Sequence, residues 1–212
     1  MKCMEFASRQ DAGRKLGLHL QELELAVEVV AGLPRGGMVV AAAVAEVLQR
    51  PLEVIVVRKI GHPWHREFAV GALAEEDVVV LDKDVIAAAP LARADLDAVV
   101  AEEKARLRDY CLKFHPDRKT NFAHKRVLLV DDGLATGATA EAAVQAARKK
   151  HAREVMMAAP VASTSARDRL ARVADRVVTC LTDPAFQAVG QYYRSFLQTT
   201  DEEVLALLHV NC

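Results

Sequence analysis

Several features that define large classes of protein are scarce or missing in this 212-residue sequence. Its four cysteines are scattered, with no C-x-x-C pair and no close Cys/His spacing, so neither a zinc site nor a disulfide framework is expected. Free thiols fit a reducing cytoplasm. No apolar run approaches the roughly 18 residues of a membrane-spanning helix. The N-terminus, MKCMEF, lacks the apolar region of a signal peptide.

Net charge is nearly absent too, at −1, which gives no general reason to expect nucleic acid or an anionic membrane as partner. Hydrophobic residues make up 52% of the chain and charged residues 27%, the balance of a soluble globular protein. No repeat, low-complexity segment or linker divides the chain. We therefore expect one cytoplasmic domain over residues 1–212, without a membrane or nucleic-acid partner.

Apolar runs alternate with helical patterns along most of the chain. Continuous apolar strands that alternate with helices predict an α/β fold, a doubly wound parallel sheet covered on both faces. Two extended segments are expected at 67–75 and 77–82, in addition to the strands named next. Strands are predicted at 26–33, 52–57, 126–130, 154–159 and 176–181, and helices from Ser8 and at 38–48, 92–113, 138–150 and 165–173.

Three segments that follow predicted strands carry unusual chemistry: GLPRGG (32–37), RKIGHPWHR (58–66) and DDGLATGAT (131–139). In open α/β sheets, ligands bind beyond the carboxyl ends of the strands. In the third segment, Gly133 and Gly137 permit tight turns. The backbone amides of 135–139 open a helix and can point at an anion, and two threonines, Thr136 and Thr139, add hydroxyl donors.

The adjacent carboxylates of Asp131 and Asp132 must face something neutral or cationic beside that anion. A sugar diol and a hydrated Mg²⁺ both qualify, and a ribose 5-phosphate carries the diol and the phosphate together. Neither the P-loop pattern nor G-x-G-x-x-G is present, which disfavours a nucleoside-triphosphate or dinucleotide site. The alternative reading is a pair of solvated acids that end a strand before an ordinary helix cap.

VLLVDDGLATGAT (127–139) resembles the 5-phosphoribosyl-1-pyrophosphate (PRPP) motif of the type I phosphoribosyltransferases. The chain is most similar to stand-alone bacterial members of undefined substrate, through LPRGG, VVRKIG, FAVGALAE and VGQYYRSFLQTTDEEV, and the likeness runs from about Phe6 to Leu208. It implies the type I fold with a flexible lid at about 60–76, a small C-terminal hood at about 182–212, and a homodimer.

The resemblance also implies roles for individual residues. Asp131 and Asp132 would hold the ribose hydroxyls and touch Mg²⁺ through water. Arg35, Lys59 and the two aspartates would contribute most to catalysis. In this family the loop after the first core strand often holds a non-proline cis peptide. The implied PRPP-binding residues are Arg35, Gly36, Gly37, Arg58, Lys59, Asp131, Asp132, Gly133, Ala135, Thr136, Gly137, Ala138 and Thr139.

Two parts of the chain leave the acceptor open. The lid reads GHPWHREF, whereas the similar proteins usually carry Gly-Ala-Pro-Gly-Asn-Pro-Glu there, so the lid contacts are not implied. In the hood, Phe186, Tyr192 and Tyr193 can stack on a planar acceptor or can simply pack the hood on the domain. Purine-salvage relatives often have an acidic residue where this chain has Ala135, so weak or absent activity with hypoxanthine and guanine is expected.

The function implied is a salvage enzyme of nucleotide metabolism, which uses PRPP and Mg²⁺ to transfer a phosphoribosyl group and release pyrophosphate. One alternative is a PRPP-sensing regulator that binds nucleic acid through the basic stretch 104–126. No helix-turn-helix segment precedes the domain, which weakens that reading. A PRPP synthetase would need an ATP site and a longer, duplicated chain. Eight basic residues make up the stretch: Lys104, Arg106, Arg108, Lys113, Arg118, Lys119, Lys125 and Arg126.

Overall fold

Two β-sheets and the helices around them make up the computed structural model, which describes residues 5–88, 92–115 and 121–210. Five parallel strands form the larger sheet in the order β2-β1-β6-β7-β8, and the other three form an antiparallel sheet in the order β3-β4-β5. The strands are β1 (Val29–Gly32), β2 (Leu52–Val54), β3 (Val57–His62), β4 (His65–Ala74), β5 (Val78–Leu81), β6 (Arg126–Val130), β7 (Glu154–Ser163) and β8 (Arg176–Asp183).

The helices cover both faces of the parallel sheet, because alternate residues of its strands point to opposite sides. In β6, Val127 and Leu129 pack in a core with α5 and α6, whereas Leu128 and Val130 pack in a second core with α1, α2 and α7. This confirms the predicted doubly wound α/β fold. The helices are α1 (Arg9–Glu22), α2 (Gly36–Leu48), α3 (Lys83–Ala88), α4 (Arg93–Phe114), α5 (Ala138–Lys149), α6 (Thr164–Leu170) and α7 (Asp201–Val210).

The order of the strands reverses between β1 and β6. From β1 the chain continues through α2 to β2 on one side, and from β6 it continues through α5 to β7 on the other side. The two strands are paired to their ends, where Gly32 lies opposite Val130. The loops that follow them therefore leave the sheet side by side, at the position where open α/β sheets bind ligands.

The smaller sheet corrects one predicted strand. The apolar run 52–57 is not a single strand, because β2 ends at Val54 and β3 begins at Val57 in the other sheet. Ile55 and Val56, between them, are fully buried, so a change of sheet here exposes no apolar surface. The segment predicted as a lid, 60–76, falls mostly in the β3–β4 hairpin, whose pairing shifts register on both sides of Gly61.

Glu75, directly after β4, joins the smaller sheet to the rest of the protein. Its Oε1 accepts hydrogen bonds from the backbone N–H of Val56 at 2.7 Å and from His115 Nε2 at 3.0 Å. Its Oε2 lies 2.8 Å from Nζ of Lys150, at the end of α5. Burial alone would raise the pKa of Glu75, but hydrogen bonds and attraction from His115 and Lys150 together hold that pKa below its usual value.

Hydrogen bonds from side chains cap the starts of two helices. Ser8 caps α1 by accepting a hydrogen bond from the N–H of Asp11, and Thr200 and Glu203 exchange hydrogen bonds at the start of α7. Cys111 and Cys180 are free thiols, whereas Cys3 and Cys212 lie outside the described residues. Among the described helices, none combines the length and apolarity needed to cross a membrane.

We expect Glu75→Gln to lower the free energy of unfolding by about 3 kcal/mol at pH 7, because it leaves a largely buried Lys150 with a weakened partner. Glu76, the exposed neighbour that also pairs with Lys150, supplies the matched control. Glu76→Gln should lower the free energy of unfolding by less than about 1 kcal/mol. Since the pKa of Glu75 is lower in the folded state, its contribution is present above the unfolded value near 4.5 and is lost as the pH falls below it.

Urea unfolding at pH 7 and at pH 4 measures both effects. The difference between the wild type and Glu75→Gln should shrink at the lower pH. Equal costs for the two glutamine variants, or a difference that grows in acid, would contradict a role for the Glu75 charge.

Candidate functional site

A cleft of about 880 Å³ opens at the carboxyl edge of the sheet, between the loops that follow β1 and β6 and the β3–β4 hairpin. The structure thus brings the three sequence segments together. Gly37 and Ala138 are buried behind the surface of the cleft and do not line it. The predicted residues that do line it are Arg35, Gly36, Arg58, Lys59, Asp131, Asp132, Gly133, Ala135, Thr136, Gly137 and Thr139.

The loop between β6 and α5 is built to present backbone N–H groups. Gly137, with φ of 78°, is the N-terminal cap residue of α5 and turns the chain into the helix. In the described part of the chain, the N–H groups of Ala135, Thr136 and Gly137 donate no hydrogen bond to the protein. Together with the unpaired donors of the first helical turn, these groups form an anion-binding concavity.

Ser163, at the end of β7, holds this loop in place. Its hydroxyl donates a hydrogen bond to the carbonyl oxygen of Ala135 at 2.6 Å and accepts one from the N–H of Ala166 at 3.0 Å. Leu134 is bridged to Ala162 in β7, so the loop is also attached to the sheet. The concavity is therefore formed before any anion binds, and little conformational entropy is lost on binding.

Asp131 and Asp132 end the central strand as two largely buried carboxylates. Burial and repulsion from Asp132 raise the pKa of Asp131 well above its usual value, although the N–H of Asp132, Lys59 and Arg9 offset part of that rise. Burial also raises the pKa of Asp132, against the hydrogen bond from Arg9. Like charges at such a position are unfavourable unless a hydroxyl donor or a cation is bound beside them.

Arg9 is a site residue that the sequence analysis missed. Its Nε donates to Oδ2 of Asp132 at 2.7 Å, and its Nη1 donates to the carbonyl oxygen of Leu197 at 2.6 Å. Its guanidinium lies 3.8 Å from the ring centre of Phe196. The sequence carries one indication of this role. A cation in the first turn of a helix is unfavourable beside the helix dipole, so Arg9 at the start of α1 indicates a specific anionic partner.

The loop after β1 lies against the aspartates from the other side. A Cβ at Gly36 would collide with Oδ2 of Asp132, and one at Gly37 would come within 2.7 Å of Oδ1 of Asp131. Both positions therefore require glycine for close approach. The Pro34–Arg35 peptide is cis, as the resemblance implies. Arg35, at the start of α2, lines the cleft, and its Nη1 lies 3.8 Å from Oδ1 of Asp201, which is not a lining residue.

The wall of the cleft opposite these loops was not predicted from the sequence. It carries Arg66 and Phe68 from β4 and three charged residues of α4. Arg58, expected to contact a diphosphate, lines the cleft and donates from Nε to Oε2 of Glu103 at 2.7 Å. The α4 residues on this wall are Glu102, Glu103 and Arg106.

None of the three hood aromatics lines the cleft, so the structure supports their packing role and not the acceptor contact that was the other expectation. Tyr192 is fully buried, its ring stacks on Phe186, and its hydroxyl donates to Asp183 at 2.8 Å. The hydroxyl of Tyr193, also buried, donates to the carbonyl oxygen of Asp132 at 2.5 Å. These rings pack the C-terminal segment on the sheet, and Val189 of that segment lines the cleft.

The residues present fit a Mg²⁺ that is shared with a ligand. Among the described residues, no group of three or more His, Cys, Asp and Glu side chains converges into a metal cage. Mg²⁺ is commonly held by one or two carboxylates together with the phosphates of its substrate. Asp131 and Asp132 supply two carboxylates whose pKa values are raised by burial, and a bound cation would offset that rise.

Comparison with known proteins gives consistent results. The family model described as phosphoribosyl transferase domain matches residues 7–195. A curated Mycobacterium tuberculosis H37Rv protein, named as a candidate phosphoribosyl transferase, is 46% identical over 205 residues, which is 96% of this chain and 46% of that protein. The chain thus spans somewhat less than half the length of the curated relatives that it matches.

Solved structures extend the comparison. The crystal structure of TT1426 from Thermus thermophilus is 40% identical, with a TM-score of 0.80 over 98% of this chain and 99% of that chain. The AQ2163 protein from Aquifex aeolicus is 13% identical, with a TM-score of 0.50 over 82% of this chain and 74% of that chain. The second likeness supports the fold alone.

We expect Asp131→Asn to raise the free energy of unfolding at pH 7 by an amount on the order of 1 kcal/mol, because it removes the charge that burial and Asp132 disfavour. The amide oxygen can still accept the N–H of Asp132, 2.8 Å away in the wild type. Since the folded-state pKa is raised, the wild type loses stability as the pH rises from about 3.8. The gain should therefore be larger at pH 7 than at pH 4.

Denaturant unfolding at the two pH values, without ligand, measures this gain. Asp168→Asn, at an exposed carboxylate, controls for the loss of one negative charge and should change stability by less than about 0.5 kcal/mol at either pH. A destabilised Asp131→Asn protein would mean that the carboxylate stabilises the fold.

Proposed function

The chain belongs to the phosphoribosyl transferase domain family, and on that premise we propose that it transfers the 5-phosphoribosyl group of PRPP, with Mg²⁺, to an acceptor and releases pyrophosphate. One observation carries this proposal. A pair of largely buried carboxylates directly precedes a helix-capping anion loop, at the point where the strand order reverses. Few ligands other than a ribose 5-phosphate need a diol partner and a phosphate cradle so close together.

The 5-phosphate is assigned to the loop before α5. Backbone N–H groups of Ala135, Thr136 and Gly137 would donate to its oxygens, and the hydroxyls of Thr136 and Thr139 add further donors. The ribose hydroxyls are assigned to Asp131 and Asp132, whose carboxylates accept hydrogen bonds. Each ribose hydroxyl would then donate a hydrogen bond to the buried carboxylates, which the protein alone supplies with too few donors.

The diphosphate is assigned to the opposite lip of the same cleft. Gly36 allows the chain to pass close to the aspartates, and Arg35 and Lys59 supply positive charge for phosphate oxygens. When bound, Mg²⁺ would neutralise part of the charge on the departing diphosphate. Asp131 and Asp132 would hold it, directly or through water.

The reaction proposed is substitution at the anomeric carbon. The nucleophilic atom of the acceptor bonds to that carbon, the bond to the diphosphate oxygen breaks with its electron pair on the diphosphate, and the proton of the acceptor passes to solvent. The ribose ring becomes more positive on the way, which the neighbouring carboxylates of Asp131 and Asp132 favour. Placement of both reactants in one cleft supplies much of the remaining advantage.

Two features limit what can be proposed about the acceptor and about the longer relatives. Ala135 can neither donate nor accept a proton from its side chain, which agrees with the expectation of weak activity toward hypoxanthine and guanine. The curated relatives are about twice as long as this chain, so this proposal concerns the present chain and not the substrates of those whole proteins. The cytoplasmic location and the homodimer implied by the sequence belong to the same proposal.

The regulator that binds nucleic acid is the second reading, and the structure offers its basic stretch little support. Lys104, Lys113 and Arg126 lie within 4 Å of Asp77, Asp201 and Glu28 respectively, so part of the positive charge is neutralised by neighbours. Arg118 and Lys119 lie outside the described residues.

We expect wild-type protein to bind PRPP in millimolar Mg²⁺, as measured by isothermal titration. Asp132→Asn and Lys59→Gln should each weaken binding by tenfold or more, because each removes a charged partner worth about 1.5–3 kcal/mol. Lys15→Gln is the matched control, since Lys15 pairs with Asp11 on the surface of α1 and does not line the cleft.

Absence of PRPP binding by a folded wild-type protein would overturn the proposal. If PRPP binds, but duplex DNA also binds below micromolar concentration with a steep dependence on salt, the regulator becomes the better reading. Thermal melts of each variant separate loss of binding from loss of fold.

A further inference from the structure

The wall of the cleft opposite the loops after β1 and β6 carries a compact charged cluster of five side chains, called here the α4 wall: Arg58, Arg66, Glu102, Glu103 and Arg106. Arg106 donates from Nη1 to Oε1 of Glu103 at 2.7 Å and from Nη2 to Oε1 of Glu102 at 2.6 Å. Arg66 donates from Nη2 to Oε2 of Glu102 at 2.5 Å. All five side chains line the same cleft as the phosphate loop.

The two glutamates hold the arginine side chains in position but leave most of their N–H donors unused. Each guanidinium has five N–H donors, and the hydrogen bonds to Glu102 and Glu103 use only one or two of them on each arginine. About half of the Arg66 and Arg106 side chains is exposed, whereas only 6% of the Glu103 side chain is. The free edges of two oriented guanidiniums are thus available to a ligand in the cleft.

The charge of the α4 wall decides which kind of ligand fits. Three guanidiniums and two carboxylates leave a net charge of +1. A hydrogen bond from Arg66 holds the pKa of Glu102 below its usual value, and the nearby Arg106 acts in the same direction, so this carboxylate stays ionised near pH 7. A diphosphate carries several negative charges and would meet two glutamates here. A single carboxylate matches both the charge and the planar geometry of the guanidiniums.

An aromatic surface completes this side of the cleft. Phe68, on β4, lines the cleft and is 51% exposed, while its ring packs edge-on to His62 at 6.3 Å. A large exposed aromatic side chain beside charged groups is a surface on which a planar ring can stack. The hood aromatics are buried elsewhere, so Phe68 is the exposed ring among the cleft residues described.

We propose that the α4 wall and Phe68 form the acceptor subsite, and that the acceptor is a planar ring that bears a carboxylate. This inference rests on the proposed function, since it names the acceptor class for that same cleft. The carboxylate bonds to the free edges of Arg66 and Arg106, and the ring lies on Phe68. Glu102 and Glu103 are positioning residues, which hold the two guanidiniums in place.

Matched pairs of ring compounds, with and without a carboxylate, test the proposal. Orotate with uracil, nicotinate with nicotinamide, and anthranilate with aniline are titrated into the protein, both alone and with Mg²⁺ and PRPP. At least one carboxylated ring should bind tenfold or more tightly than its neutral partner, since a charge-assisted hydrogen bond contributes about 1.5–3 kcal/mol. Pyrophosphate release with the same compounds should follow the same order.

Variants separate the acceptor role from other roles. Arg106→Gln should remove the preference for the carboxylate and should change the affinity for PRPP with Mg²⁺ by less than about threefold. Arg108→Gln, at an exposed arginine of the same helix that does not line the cleft, is the matched control and should keep the preference. Glu102→Gln should weaken carboxylate binding less than Arg106→Gln does, because it removes only a support.

Three results would overturn this inference while PRPP still binds. Neutral rings could bind as tightly as their carboxylated partners, no carboxylated ring could bind at millimolar concentration, or Arg106→Gln could weaken PRPP or pyrophosphate tenfold instead. The last result would assign the α4 wall to the diphosphate. Failure of the wild type to bind PRPP is a different outcome, because it overturns the proposed function.

Discussion

The rest of the site depends on two largely buried carboxylates that share the end of one strand. Asp131 and Asp132 repel each other and are poorly hydrated, and the pKa values of both are raised. Their surroundings compensate only in part, through Arg9, Lys59 and a backbone N–H. A fold tolerates such a pair when a bound ligand supplies the remaining donors or charge, so the unfavourable electrostatics are themselves evidence for a binding role.

Three other parts of the structure follow from that constraint. Gly36 and Gly37 have no side chain because the aspartates occupy that space. Arg9 lies between Asp132, the carbonyl of Leu197 and the ring of Phe196, so it connects α1 and the C-terminal segment to the site. The hydroxyl of Tyr193 binds the carbonyl oxygen of Asp132 and fixes its backbone. Segments far apart in the chain therefore converge on one pair of residues.

What could be predicted from the sequence was local. The apolar run before Asp131 and the Gly/Thr loop after it are contiguous, and they indicate a buried strand, an anion loop and a helix without knowledge of the fold. Arg9 and Asp132 are separated by 123 residues, and Arg58 and Glu103 by 45, so no spacing rule could pair them. The role of the hood aromatics could not be decided from the sequence, because an aromatic residue leaves the same pattern whether its ring is buried or lines a cleft.

The α4 wall shows why the proposed acceptor side of the cleft was harder to infer from the sequence than the proposed PRPP side. A phosphate is recognised largely by backbone N–H groups, which leave a pattern of glycine and small residues in the sequence. The proposed acceptor subsite consists of side chains brought together from separate elements, β3, β4 and α4. On α4 alone, Glu102, Glu103 and Arg106 match an ordinary solvated helix face. Their position in the same cleft as Asp131 is what supports the proposal of a binding surface over a set of surface ion pairs.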